Sequence, residues 1–323
     1  MPRPSQRSTS MRPRSSRNAL HAVIEVRARL DTAEVAAVTE VVRSATSSDG
    51  VSPLSEHVWL HLRHGGDDHD QHFLVRTHQG DVVGYAHLDT TDAVAGSSAE
   101  LVISPESRRR GLGRMLAEHL IAATPDGRLR LWSHGAGAAA SALATSLGFN
   151  TLRVLWQMRR SLRAPLPDAQ FPARIPVRPF RPGIDNDAWL ELNARAFASL
   201  PDQGSWTRED LAARMAEPWF DPEGFLMAWS GSTLVGFHWT KVHGEDHHRH
   251  EPLGEVYVLG VDPEFHGHGL GQALTVAGLR HLRDRGLDQV MLFVDHGNQP
   301  ATSLYSRLGF VRWDTDVLYR RST

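Results

Sequence analysis

The 323-residue chain reads as a mixed α/β protein built from one domain type repeated in tandem. The first observation is an internal repeat. Residues 101–116, LVISPESRRRGLGRML, align with 259–274, LGVDPEFHGHGLGQAL, placing Pro105 over Pro263, Gly111 over Gly269 and Gly113 over Gly271, an offset of 158 (269 − 111). In the same order, VVGYAHL at 82–88 returns as LVGFHWT at 234–240, and SLGF at 146–149 as RLGF at 307–310. Three matches in one order point to a duplicated domain. The second observation is a strand-like run, Val256 to Val261, followed by glycines at 267, 269 and 271 and a helical face of Leu270, Ala273, Leu274 and Ala277. The third is a seam: residues 164–176, APLPDAQFPARIP, carry four prolines and little periodicity, as an extended linker does. The expected organisation is a basic, disordered tail over 1–20, a first domain over 21–163, the linker over 164–176 and a second domain over 177–323.

Each half then follows one order. After an opening strand, Asp31 is positioned to cap a helix running to about Ser47, and Asp185 one running to about Ala198. A helix over Pro53 to His64 has its counterpart over Thr207 to Glu217. Hairpins come next: HFLVRTH, a turn at Gln79-Gly80-Asp81, then VVGYAHL; and FLMAWS, Gly231-Ser232, then TLVGFHW. The glycine-loop strand and long helix follow, then a strand (RLRLWSH; QVMLFVD), a short helix ending at Leu-Gly-Phe, and a terminal strand pair.

Bulk properties narrow the function classes. A formal charge of -2 exerts no general pull on nucleic acid or an anionic membrane. Zero cysteines rule out disulfides and thiolate metal sites and suit a reducing cytoplasm. The tail carries Arg3, Arg7, Arg12, Arg14 and Arg17 but no apolar core of a secretory signal. No apolar run has the length of a membrane span. The expectation is a cytoplasmic monomer.

A glycine turn between a strand and a helix suits an anion, because the first helical amides lack internal partners and carry the positive end of the dipole. Neither the Walker loop nor GxGxxG fits the spacing at 267–271. RRRGLG at 108–113 instead resembles the Arg/Gln-x-x-Gly-x-Gly/Ala signature of the GNAT superfamily of N-acetyltransferases, directly after a strand; HGHGLG at 266–271 departs from it only at His266. DQGSWT (202–207), EPWFDPEGF (217–225), GFHWTKVH (236–243) and GEVYVLGVDP (254–263) make the chain similar to the mycothiol synthases, a family of tandem GNAT proteins. That resemblance implies two GNAT acyltransferase domains, each a mostly antiparallel twisted sheet with a splayed central strand pair and flanking helices. It implies acetyl-coenzyme A as co-substrate, no metal, and the cysteinyl amine of desacetylmycothiol, a cysteine joined to glucosaminyl-inositol, as acceptor.

Acetyl transfer to an amine poses two proton problems. An α-amine has a pKa of about 7.7 and is largely protonated at neutral pH, so a base must help; a coenzyme thiolate leaves more readily if an acid at hand supplies a proton. Glu255 precedes the apolar strand and Tyr305 lies on the short helix before Leu308-Gly309-Phe310. The resemblance assigns them as general base and general acid. A glutamate at its ordinary pKa of about 4.3 matches the amine poorly, so partial burial or a relaying water is expected. The 158-residue offset places Ser97 opposite Glu255, and the offset of 161 set by the two Leu-Gly-Phe ends places Ala144 opposite Tyr305. Neither does acid-base work, so the second half is expected to be catalytic and the first to bind coenzyme or serve structurally.

Remaining contacts are implied position by position. Leu259, Gly260 and Val261 present backbone to the acetyl carbonyl and pantetheine. His266, Gly267, His268, Gly269, Leu270, Gly271 and Gln272 hold the pyrophosphate, and Asn298, Gln299, Pro300, Ala301, Thr302 and Ser303 line the other side. In the first half Leu101, Val102, Ile103, Arg109, Arg110, Gly111, Leu112, Gly113 and Arg114 match a second coenzyme site. Glu56, Asp202, Lys241 and Glu255 match acceptor-contacting positions, and Glu56 implies a site near the domain interface; at Phe293 the family usually has tyrosine. Two other functions remain open: acetyl transfer to a different amine, such as an aminoglycoside or a protein amino terminus, and a non-enzymatic acyl-coenzyme sensor. HGEDHHRH at 243–250 has irregular spacing and reads as a solvated loop, with a metal site the alternative, while Trp206, Trp219 and Trp239 read as core, with sugar stacking the alternative.

Overall fold

The computed structural model describes residues 22–65, 70–91, 96–125, 127–135, 137–244 and 252–321. The arginine-rich tail over 1–20 and the histidines from 247 to 250 lie outside them. The chain forms two compact units, divided between Asp126 and Gly127.

In the first unit, β1 (Ala22–Arg27), β2 (Asp70–Thr77), β3 (Val82–Asp89) and β4 (Ser97–Ile103) pair in sequence order, all antiparallel. The helices are α1 (Thr32–Asp49), α2 (Glu56–His64) and α3 (Leu112–Ala123). Asp31 caps α1 as expected: its carboxylate accepts from the Glu34 amide at 2.8 Å while the Glu34 side chain accepts from the Asp31 amide at 3.1 Å. One stripe of that helix, Val38, Val41, Val42 and Ala45, is buried against Leu74, Tyr85 and Val102 together with Val58 and Leu62 of α2.

In the second unit the elements are β5 (Leu129–Ser133), α4 (Ala138–Ser146), β6 (Phe149–Ser161), β7 (Val177–Pro179), α5 (Asn186–Ala196), α6 (Pro201–Gly204), α7 (Arg208–Met215), β8 (Phe225–Ser230), β9 (Thr233–His243), β10 (Leu253–Val261), α8 (Leu270–Asp284), β11 (Gln289–Asp295), α9 (Gln299–Arg307) and β12 (Val311–Arg321). The strand order is β5-β12-β6-β11-β10-β9-β8-β7, antiparallel throughout except for β10 with β11. Each half therefore ends in one long strand, not the expected pair, and those two strands pair with each other. β6, the last strand of the first repeat, lies between β12 and β11 of the second, with Gln157 opposite Phe293.

Asp185 departs from the expected capping role. It sits at the start of α5 with helical dihedrals and makes no side-chain cap bond. Its buried carboxylate instead accepts from the Arg178 guanidinium at 2.6 and 2.9 Å and from Arg181, whose bonds hold its pKa well below the usual range despite burial. The tryptophans resolve as packing groups. Trp239 is fully buried and stacks on Phe225 with centroids 4.4 Å apart, and Trp206 and Trp219 pack against the same cluster.

His238, on β9, is fully buried, and its Nδ1–H donates to the Leu274 carbonyl at 2.8 Å. Burial pushes its pKa down to about 4, with the nearby His281 adding to the effect and the Leu274 bond opposing it. The unfolded chain thus takes up a proton near the ordinary value that the folded chain refuses until about pH 4. Stability from this group is complete above its unfolded pKa of about 6.5 and is lost as pH falls toward 4, a loss of about 3 kcal/mol. Denaturant unfolding followed from pH 7 to pH 4 should show this decline, and a His238→Gln variant should make it shallower, leaving the part due to His72, whose pKa burial also lowers to about 4.

Candidate active site

β10 and β11 begin as neighbours and then separate. They pair in parallel only over Gly254–Val256 and Val290–Leu292; beyond that β10 continues with β9 to Val261↔Gly236, and β11 with β6 to Asp295↔Leu155. The edge of β10 over Leu259, Gly260 and Val261 consequently has no strand beside it among the described residues, and its backbone groups can meet an extended ligand. A shift in the β9–β10 register between Val256 and Val258 lies where the separation begins.

The glycine loop follows at once. After a turn over Pro263–Phe265, Gly267 and Gly269 both adopt φ of 81°, the left-handed region where a side chain is strained, and Gly269 is the N-cap of α8. A glycine cap brings no side chain of its own to the first amides of the helix. His266 Nε2–H donates to the Val261 carbonyl at 3.0 Å, bracing the loop against the end of β10.

The first unit repeats this geometry. Arg108 Nε donates to the Ile103 carbonyl at 3.0 Å, and its terminal nitrogens pair with Asp49 at 2.7 Å. Gly111 caps α3 at φ 87°, and Arg109, the counterpart of Gly267, holds φ 62° without being glycine. Arg109, Arg110 and Arg114 are exposed there, so that loop is the more cationic of the two. The departure at His266 is thereby explained: its imidazole replaces the backbone-bracing contact of an arginine. His266→Arg should keep coenzyme affinity within twofold, whereas His266→Ala should weaken it about five- to tenfold, the worth of one hydrogen bond; titration calorimetry with acetyl-coenzyme A checks both.

Glu255 is 7% exposed, lies opposite Lys241 in the β9–β10 register, and accepts from His243 Nε2–H at 2.7 Å. Lys241 is also buried, its ammonium 4.5 Å from the Trp219 ring centroid and 5.1 Å from that of Tyr257. Sequence alone does not pair His243 with Glu255, since there it is only the first residue of a histidine-rich loop. Tyr305, on α9, is 7% exposed and edge-on to Phe310 at 5.7 Å. It belongs to the cluster containing Val256, the residue after Glu255, and burial pushes its phenol well above the ordinary value, keeping it protonated. Asn298 caps α9 by accepting from the Ala301 amide at 3.1 Å, so Gln299, Pro300, Ala301, Thr302 and Ser303 form the first turn and a half of that helix. Phe293 is 42% exposed on β11. Glu56, half-buried, opens α2 in the first unit; Asp202 falls on α6, and its side chain lies outside the described residues.

In the first half the corresponding strand β4 starts at buried Ser97, and its one acid, Glu100, accepts from the Ser55 amide at 2.6 Å, at the start of α2. Ala144, opposite Tyr305 in the repeat, is a buried methyl on α4.

Comparison with known proteins agrees with both halves. Residues 186–310 match the acetyltransferase (GNAT) family and residues 69–151 the acetyltransferase (GNAT) domain. The mycothiol acetyltransferase of Acidothermus cellulolyticus is 56% identical, over 92% of this chain and 94% of that protein; the one from Streptosporangium roseum is 51% identical, over 94% and 100%. The chain belongs to the mycothiol acetyltransferase family. It is an N-acetyltransferase with two GNAT domains, and GNAT acetyltransferases use acetyl-coenzyme A as co-substrate. Among solved structures, a tandem GNAT protein from the clavulanic acid biosynthesis pathway superposes with TM-score 0.70 at 19% identity over 92% of this chain and 98% of that one. A GCN5-related N-acetyltransferase from Sphaerobacter thermophilus superposes with TM-score 0.67 at 24% identity over 92% and 95%. These two likenesses bear on the fold. Among the described residues of this mycothiol acetyltransferase family member, no helix is long and apolar enough to cross a membrane.

Proposed function

We propose that the chain transfers the acetyl group of acetyl-coenzyme A to the cysteinyl amine of desacetylmycothiol, and that the second domain performs the chemistry. The supporting observation is the convergence, on one strand, of a buried carboxylate at Glu255 and an unpaired backbone edge at Leu259–Val261, directly before the uncapped glycine turn. The turn at Gly267–Gly271 holds the pyrophosphate on the first amides of α8, and the β10 edge aligns the pantetheine. A backbone amide of Leu259–Val261 aimed at the acetyl oxygen contributes about 3 kcal/mol as charge develops there.

Glu255 accepts a proton from the amine as the new C–N bond forms, and its bond to His243 gives that proton a route outward. Tyr305 donates its proton to the sulfur as the C–S bond breaks. Lys241, stacked on Trp219 and Tyr257, and Phe293 supply acceptor contacts; phenylalanine at 293 forgoes a hydroxyl hydrogen bond there. The first domain, which lacks the acid-base pair, keeps coenzyme-binding or structural work through Leu101–Ile103 and Arg109–Arg114.

A panel of amines assayed for coenzyme A release tests the acceptor. Desacetylmycothiol should exceed aminoglycosides and peptide amino termini in kcat/KM by about 100-fold or more, since a buried polar site rejects acceptors that leave its groups unmatched. Equal turnover across the panel would remove the assignment, and no turnover with any of them would favour an acyl-coenzyme sensor.

A further inference from the structure

The core face of the β2–β3 hairpin ends in groups that cores seldom contain. Register places Asp70 opposite Asp89 and His72 opposite His87, and the two-residue period of a strand puts all four on one face. Leu74 and Tyr85 continue that face into the core beneath Val58 and Leu62 of α2, and His61 lies between those two helical residues in sequence. The result is a knot of imidazoles and carboxylates at one end of a hydrophobic core.

Three of these groups converge. His61 Nδ1 is 2.5 Å from one oxygen of Asp70, and His87 Nε2 is 3.0 Å from the other. All the donor atoms lie within 4.8 Å of one another. The Asp70 side chain is fully buried, and that of His87 is 2% exposed. Yet His61 Nδ1 and His87 Nε2 have no hydrogen-bond partner among the described residues, because neither ring aims its N–H at the oxygen it approaches. Two ring nitrogens crowd one carboxylate while turned away from it, as donors do when they face a shared centre.

We propose that His61, Asp70 and His87 form a binding site for a divalent transition-metal ion, zinc foremost. Two imidazoles and a carboxylate suit a borderline cation and not the hard, oxygen-seeking ones. Ligands on bonds of about 2.0–2.1 Å stand roughly 3.3 Å apart around a tetrahedral ion, inside the 4.8 Å that spans these donor atoms, with His61 needing to draw back slightly from Asp70 to admit it. His57, one turn earlier on α2 and 41% exposed, has its ring centroid 4.0 Å from that of His61 and its Nε2 3.8 Å from Asp89, and flanks the three residues. His72 is tied off through its bond to the Tyr85 hydroxyl at 2.8 Å and walls the site. The ion would pin α2 to the hairpin. The family resemblance implies no metal, and the histidines dense in sequence are those of 243–250; these three residues come together only through hairpin register and helix packing.

The test uses the untagged full-length protein, expressed with zinc, dialysed against a weak chelator and analysed for bound metal. About one zinc per chain is expected, falling below about a tenth in His61→Gln and in His87→Ala, and unchanged when His247, His248 and His250 are all replaced by serine. As His87→Ala risks misfolding, a second measurement follows the metal-free wild type, whose Tm should rise by several degrees on adding zinc while that of His61→Gln should not. Wild type that retains less than about a tenth of an equivalent and shows no thermal response to zinc would reveal a proton-sharing network only and overturn the site. Metal content unaffected by either substitution would overturn it equally.

Discussion

Replacing Glu255 by glutamine should lower kcat/KM by about 10²–10⁴ while leaving the affinity for acetyl-coenzyme A within a few-fold, because the amide keeps the shape of the site and removes only the proton acceptor. The carboxylate is buried and accepts from His243, and the glutamine carbonyl oxygen can keep accepting there. Tyr305→Phe should reduce kcat by about 10²-fold for want of a proton on the departing sulfur. Its ring stays against Phe310, so stability should hardly change. Steady-state kinetics over a pH series separate the two: loss of the base should remove the acidic limb of the profile, loss of the acid should not. If both variants stay within twofold of wild type, the assignment of these residues is wrong.

The second large effect is structural. Gly278 faces the ring of His238, and a Cβ placed there would lie 2.2 Å from one ring atom and 2.3 Å from Nδ1. His238 cannot retreat, being fully buried and bonded to Leu274. Alanine in place of glycine within an ordinary helix gains about 1 kcal/mol. Here it should cost about 3–5 kcal/mol, summing overpacking and a lost buried hydrogen bond. Adding His238→Ala to Gly278→Ala should return part of the loss by making room. Denaturant midpoints of the two single variants and the double variant measure the coupling, and a Gly278→Ala protein as stable as wild type would refute the packing described.

Local signals carried much of the architecture. The capping pattern at Asp31, the glycine turns after β4 and β10 and the ordered repeat all depend on neighbours in sequence, and each appears where periodicity and turn chemistry put it. Asp185 shows the limit of such signals: an acid before a helix looks like a cap, but two arginines nearby in space claim its carboxylate. The placement of β6 between β12 and β11 depends on strand neighbours more than a hundred residues away, which alternation along one strand does not encode. The same holds for His243, which meets Glu255 through hairpin register, and for His61, Asp70 and His87, which come from a helix and two strands. The candidate acid, base and loop were thus legible as residues, and their partners only as geometry.

Division of labour between the repeats is open to one direct measurement. Valine in place of Gly269 strains the turn of the second half, and valine in place of Gly111 does the same to the first, since both glycines hold left-handed dihedrals at a helix N-cap. Acetyl transfer to desacetylmycothiol should fall by about 100-fold or more in Gly269→Val and stay within a few-fold of wild type in Gly111→Val, both proteins being folded by circular dichroism. The reverse pattern, with activity lost on changing Gly111 and kept on changing Gly269, would contradict a catalytic second domain.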